Sequence, residues 1–150
     1  MSQSLASVKL HIIFSTKERT PWLSPEIRHE CHRYLATVAK NNNSHVYEVG
    51  GVSDHVHILL TLPRTLTLSK LVEILKTATS KWIKKRDQSL THFAWQTGYG
   101  VFSVSQSQLP KVQRYIKEQE LHHQKASFKD ELVQFLKNSN VKFNEEYLLD

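Results

Sequence analysis

Two short clusters in this sequence carry side chains able to do chemistry: His55-Val56-His57, and Tyr115 with Gln119 four residues later. In a strand, residues i and i+2 face the same way, so the two imidazoles would share one face, roughly 6–7 Å apart. That is close enough for both rings to lean onto one divalent ion. On a helix a residue lies about one turn from its i+4 neighbour, so Gln119 would set an amide ligand beside a phenol. Together these groups suit an enzyme that cuts a nucleic-acid strand and keeps one end on tyrosine. An ion held by two neutral imidazoles and a neutral amide keeps its full positive charge and polarises a phosphate strongly. It would not be a closed structural zinc site, which wants four ligands and usually thiolates. Mg²⁺ prefers oxygen ligands, so the imidazoles predict that Mn²⁺ or another borderline ion also works.

Each of these groups also has a plainer reading. His-x-His suits two polar positions on a half-buried strand, and Asp54 is either a turn residue or a carboxylate that orients an imidazole from behind. Leu109, Val112 and Ile116 mark a buried helical stripe. At about 100° per residue, Gln119 falls on the stripe's edge and Tyr115 roughly a quarter-turn outside it, near Lys111 and His122. A phenol ionises near pH 10, so attack on phosphate needs an adjacent cation or base. The metal, Lys111 and His122 all remain open for that role. His123 returns to the buried stripe and reads as a packed structural histidine, as does His11 in its apolar strand.

The elements that must position these groups follow from periodicity and breakers. Val8–Ser15 reads as a strand, and Ser24-Pro25 opens a helix from Glu26 to about Lys40 that the asparagines 41–43 stop. His45–Val49 and His55–Leu62 read as strands joined through Gly50-Gly51. Val56, Ile58 and Leu60 form a wholly apolar face that should pack on helices. Leu68, Leu71, Val72, Leu75, Trp82 and Ile83 trace a second long helix. A further strand or two lies in Phe93–Ser105. Leu109-Pro110 opens a third helix running to about His122, and Phe128–Leu136 forms a fourth. The order β-α-β-β-α-β-α-α predicts a layered α+β sandwich whose first six elements make a ferredoxin-like split βαβ unit, with helices on one face of an antiparallel sheet.

At 150 residues, with no linker or repeat, a single domain over 1–150 is expected. The lone Cys31 excludes an internal disulfide framework and fits a reducing cytosol; its helical spacing to Leu35 and Val38 makes it a buried thiol. No leader resembling a signal peptide and no apolar run of about 20 residues is found, so a cytoplasmic protein with no membrane span is expected. Twenty Lys and Arg against 14 Asp and Glu give a net charge of +6, which suggests a polyanionic partner. Lys70, Lys76, Lys81, Lys84, Lys85 and Arg86 load the second helix, either as phosphate contacts or as complements to its dipole. Trp22, Trp82 and Trp95 are candidates for base stacking, with Trp82 read as core.

The stretch Gly50-Gly51-Val52-Ser53-Asp54-His55-Val56-His57-Ile58-Leu59-Leu60 resembles the HUH motif, U being a bulky apolar residue, of IS200/IS605-type single-tyrosine transposases. Trp95–Ser105, Tyr115–His123 and Ser127–Glu131 resemble the same family in the same order, so the likeness covers roughly 8–147. The resemblance implies a ferredoxin-like (RRM-like) fold with an added C-terminal helix carrying a catalytic tyrosine. It implies Mg²⁺ or Mn²⁺ held by His55, His57 and Gln119, with Tyr115 as nucleophile. It implies cleavage and rejoining of single-stranded DNA at hairpins that mark element ends, through a 5′-phosphotyrosine link. It further implies a homodimer whose active sites are shared, the tyrosine helix of one subunit completing the histidines of the other. REP-associated relatives usually carry Asn where Gln119 stands, so the insertion-sequence branch is favoured. Two other readings stay open: a hairpin-binding protein that has lost catalysis, and an RNA-binding module of the RRM type.

Overall fold

The computed structural model describes residues 2–148. Four strands and five helices follow in the order β1 (Lys9–Ser15), α1 (Pro25–Asn41), β2 (Val46–Gly51), β3 (His55–Thr61), α2 (Leu68–Arg86), β4 (Gly100–Ser103), α3 (Leu109–Lys117), α4 (Gln119–His122) and α5 (Phe128–Asn138). The sheet runs β2-β3-β1-β4 with every neighbouring pair antiparallel, the ferredoxin-like arrangement.

Register decides what each face of the sheet carries. In an antiparallel pair, residues directly opposite one another point to the same side. Leu10 faces Leu60, Ile12 faces Ile58 and Phe14 faces Val56. These six residues are buried and pack with Leu35 of α1 and Leu71, Leu75 and Ile83 of α2. Burying such a side chain stabilises by roughly 1.5–3 kcal/mol, so this layer is the main core. The alternate set pairs His11 with Leu59, Ile13 with His57 and Ser15 with His55. That face is covered as well. Leu59 packs under Leu109 and Ile116 of α3, while Ile13 and Phe102 pack under Phe128, Leu132 and Leu136 of α5. The added C-terminal helices therefore roof the histidine face, and His55 and His57 are fully buried rather than lining an open sheet.

Local signals set the element ends. Pro25 occupies the first turn of α1, where its missing N–H costs nothing. Thr67 and Ser127 cap α2 and α5 by accepting from Lys70 N and Asp130 N. In the β2–β3 hairpin Gly51 adopts φ +155°, and a Cβ there would lie 2.2 Å from the His55 carbonyl oxygen. Only glycine fits that corner.

Phe93–Ser105, where a strand or two was expected, yields one, β4, plus a bridge between Thr16 and Trp95. Trp95 is a core residue, donating to Thr79 Oγ1 and meeting Phe14 and Phe93 edge to face. The third helix does not run unbroken to His122: the chain leaves helical geometry at Glu118 (φ −96°, ψ 21°), so Tyr115 and Gln119 lie on separate helices.

Candidate metal centre and nucleophile

β3 delivers His55 and His57 from adjacent positions on one face, with ring centroids 5.2 Å apart. Each ring is held at Nδ1. His55 Nδ1 donates to Asp54 Oδ1 at 2.8 Å, and His57 Nδ1 shares a 2.7 Å hydrogen bond with His11 Nε2 from the neighbouring strand. Both Nε2 atoms therefore turn the same way, toward the C-terminal helices, as metal-ligating imidazoles oriented from behind do. Asp54 and His11, each given a supporting or structural reading from sequence, are the groups that do this.

Glu131 of α5 stands at the centre of what the two rings face. Its Oε1 lies 2.9 Å from His57 Nε2 and 3.3 Å from His55 Nε2. Its Oε2 accepts from Tyr115 OH and, at 3.1 Å, from Gln119 Nε2. Gln119 Oε1 sits 3.1 Å from His55 Nε2. His123 donates from Nδ1 to the Ala126 carbonyl, which aims its Nε2 at Glu131 Oε2, 3.2 Å away. That nitrogen is buried and makes no directed hydrogen bond, so the 3.2 Å approach is an ion-pair distance only.

The structure thus brings together all four residues singled out from sequence, His55, His57, Tyr115 and Gln119, within one chain. It adds two that sequence reasoning left without this role, His123 and Glu131. Ligand atoms of His55, His57, His123 and Glu131 lie within 4.8 Å of one another. Three imidazole nitrogens and one carboxylate oxygen, with one nitrogen lacking a hydrogen-bond partner, fit a divalent cation of borderline character. The pattern did hold one clue to Glu131. In α5 it lies between Phe128 and Leu132 on the apolar stripe, and a carboxylate in a buried stripe needs a partner.

The electrostatics follow from burial and neighbours. Burial acts to lower His55, but the carboxylates of Asp54 and Glu131 outweigh it and raise its pKa. Burial pushes His57 down to about 4, against the pull of Glu131. Burial acts to raise Glu131, yet the imidazoles of His123, His55 and His57 hold it well below the usual carboxylate range. Tyr115 is raised above its ordinary value by burial, reinforced by the hydrogen bond to Glu131 and its charge. The chain's own groups hold the phenol protonated, and a cation among these ligands would act in the opposite direction.

Tyr115 opens on a cavity of about 510 Å³ lined by His122, His123, Glu131, Gln134 and Phe135. His122 stacks on the phenol with ring centroids 4.5 Å apart, whereas Lys111 is exposed and makes no hydrogen bond or ion pair among the described residues. A histidine strand facing a tyrosine helix over a ferredoxin-like sheet defines a class: single-tyrosine enzymes of the HUH type. The family model described as "Transposase IS200 like" matches residues 4–119. The chain belongs to the IS200-like (Y1) transposase family.

Individual relatives agree. The chain is 28% identical over 116 residues to the transposase for insertion sequence element IS200 of Salmonella typhimurium, covering 74% of this chain and 76% of that one. It is 24% identical to the ISDra2 transposase TnpA of Deinococcus radiodurans, over 75% of this chain and 84% of the relative. Among solved structures, a putative transposase from Deinococcus radiodurans superposes with a TM-score of 0.61 at 23% identity, covering 79% of this chain and 98% of that one. A REP-associated tyrosine transposase bound to a REP hairpin gives 0.58 at 15% identity, with 82% and 74% covered. These two likenesses speak to the fold. Among the described residues no helix is long and apolar enough to cross a membrane.

Proposed function

We propose that this transposase cuts and rejoins single-stranded DNA at hairpin-marked element ends through a covalent link to Tyr115. The observation that carries this reading is the Tyr115 hydroxyl hydrogen-bonded to Glu131, whose carboxylate also meets both histidines of the His-x-His pair. Tyr115 oxygen attacks the scissile phosphorus, and the P–O3′ bond breaks. The 5′ phosphate stays on tyrosine, and the leaving 3′ oxygen takes up a proton. The phenol's own proton lies on its hydrogen bond to Glu131 Oε2, the acceptor nearest to it. Attack of a 3′-OH on the phosphotyrosine reverses the sequence and joins strands. A divalent ion held by His55 and His57, with Gln119, His123 and Glu131 in reach, would supply Lewis-acid stabilisation to the phosphate and favour the phenolate. Mg²⁺ or Mn²⁺ would serve, and the nitrogen-rich donor set favours Mn²⁺.

The family resemblance adds a homodimer with shared sites. In the single chain Ile116 of α3 lies against Gly50, close enough that a Cβ on Gly50 would fall 2.4 Å from the Ile116 carbonyl oxygen; sharing would have the α3 of a second copy take that place.

A nicking assay tests the reading, using single-stranded DNA from the flanks of the encoding gene, with Mn²⁺, with EDTA, and with Tyr115→Phe. A metal-dependent covalent protein–DNA band that disappears in the variant is expected. Tight DNA binding with no covalent band on correct flanking sequence would replace it with a recognition-only protein.

A further inference from the structure

On the side of the sheet away from the metal centre, α2 and the segment 93–99 enclose a groove of about 600 Å³. We propose that this groove is a binding subsite for single-stranded DNA, with Tyr99 as a stacking platform for a base and Lys81 and Lys84 as phosphate contacts. It rests on the reading of the protein as a DNA-processing enzyme.

Three observations point to this occupant. First, Tyr99 is an aromatic side chain left 40% exposed, while Trp22, Phe93 and Trp95 nearby are wholly or largely buried. Second, the backbone that presents Tyr99 is fixed. Lys76 Nζ donates to the carbonyls of Gln96 at 2.8 Å and Gly98 at 2.7 Å, and lies over the Phe14 and Tyr99 rings at 5.2 and 5.7 Å. A ring held on a preorganised loop loses little entropy when a base stacks on it.

Third, two of the three lysines lining the groove are uncommitted. Lys76 is taken up by the loop carbonyls, but Lys81 and Lys84 are exposed and make no hydrogen bond or ion pair among the described residues. Glu73 is the one carboxylate lining the groove. An exposed ring beside free lysines is the footprint of single-strand binding, where stacking serves any base and cations track the backbone.

The position also connects the groove to the chemistry. Tyr99 lines a second cavity with Leu132 and Leu136 of α5, on the catalytic side. It therefore stands at the sheet edge beside β4, between the α2 side and the α5 side. A strand stacked on Tyr99 has a path around that edge toward Tyr115.

The test measures equilibrium binding of a fluorescent single-stranded oligonucleotide to the full-length chain carrying Tyr115→Phe, across a salt series. Covalent adduct formation is measured in parallel in the Tyr115 background. Tyr99→Ala should weaken binding roughly 5- to 100-fold, while Tyr99→Phe, which keeps the ring, should bind as the parent. Lys81→Gln with Lys84→Gln should flatten the slope of log affinity against log salt by about 0.7 per lysine. All four side-chain changes are at exposed positions, and unchanged thermal melting establishes folding. Parental affinity and salt slope in both sets would overturn the subsite, whether or not the covalent adduct forms. Weakened binding by Tyr99→Ala and by the lysine pair, in a protein that forms no adduct, would support the subsite while removing the enzymatic reading.

Discussion

Replacing Gly50 with alanine should draw Tyr115 away from His57 and Glu131 without altering any of the three side chains. Gly50 lies on β2 directly beneath α3, and a Cβ built on it falls 2.4 Å from the Ile116 carbonyl oxygen and 2.8 Å from Ile116 Cγ2. Ordinary contact begins at 3.4 Å, so α3 must rise by about 1 Å, because the closest atom is backbone and no rotamer change relieves it. Its φ is not in the left-handed region, so the effect is steric and not conformational. Tyr115 precedes Ile116 and must move with it, away from Glu131 and from His57, whose ring now lies 5.9 Å from the phenol. A misplacement of about 1 Å costs on the order of 100-fold in rate, and overpacking costs about 1–3 kcal/mol of stability. Single-turnover formation of the covalent DNA adduct reads the first number and chemical denaturation the second. Gly100→Ala is the comparison: its Cβ meets Leu132 Cδ1 at 3.2 Å and Phe102 Cε2 at 3.3 Å, side-chain atoms that can yield, so a small effect is expected. A folded Gly50→Ala protein with wild-type adduct rate would refute the claim that the α3 seat positions the tyrosine.

Glu131→Gln keeps the shape of the site but removes its only carboxylate facing both histidines, so Mn²⁺ affinity should fall at least ~10-fold, read as the Mn²⁺ dependence of thermal melting; an unchanged dependence would remove Glu131 from the ligand set. Burial, with the charges of His29 and Arg28 beside it, lowers His32 to about 4. A histidine depressed in the folded state leaves the unfolded chain binding more protons between its ordinary pKa of about 6.5 and 4. Its share of stability is therefore intact above pH 6.5 and lost as pH falls toward 4, by at most ~3 kcal/mol. His32→Gln should flatten that acid limb in denaturation curves at pH 7 and 4.5, and parallel curves for both proteins would count against it. Finally, mixing Tyr115→Phe with His57→Ala subunits should restore nicking if the tyrosine helix crosses between copies, with DNA attached to the His57→Ala chain by mass; no recovery would mean that each site works within one chain.

The alternation in β3 was enough to separate the core face from the chemical face, because a period of two leaves no ambiguity once Val56, Ile58 and Leu60 are assigned inward. What it could not tell was whether the chemical face stays open. His55 and His57 are buried by the C-terminal helices, which meet them through residues 64 and 74 positions away, Gln119 and Glu131. The unbroken helix expected through His122 failed for a similar reason. Nothing between Ile116 and Leu121 is a glycine or proline, and local propensity favours continuation. The break at Glu118 instead accompanies tertiary partners lying in different directions: Gln119 meets His55 and Glu131, while Glu120 meets Arg28 of α1 at 2.9 Å.

That break bears on His123, which spacing alone assigned elsewhere. On a straight helix His123 returns to the apolar stripe and reads as a packed structural histidine. The turn after α4 instead sets it, partly buried, against the His55 ring, 4.4 Å between centroids. Glu131 received no role from sequence, since a carboxylate on an amphipathic helix is usually solvent-facing. It lies 8% exposed among three imidazoles, a phenol and an amide, contributed by β3, α3, α4 and the turn after α4. The family match ends at Gln119, before α5 begins. α5 lies beyond that match, and through Glu131 it touches Tyr115, Gln119, His55 and His57 at once.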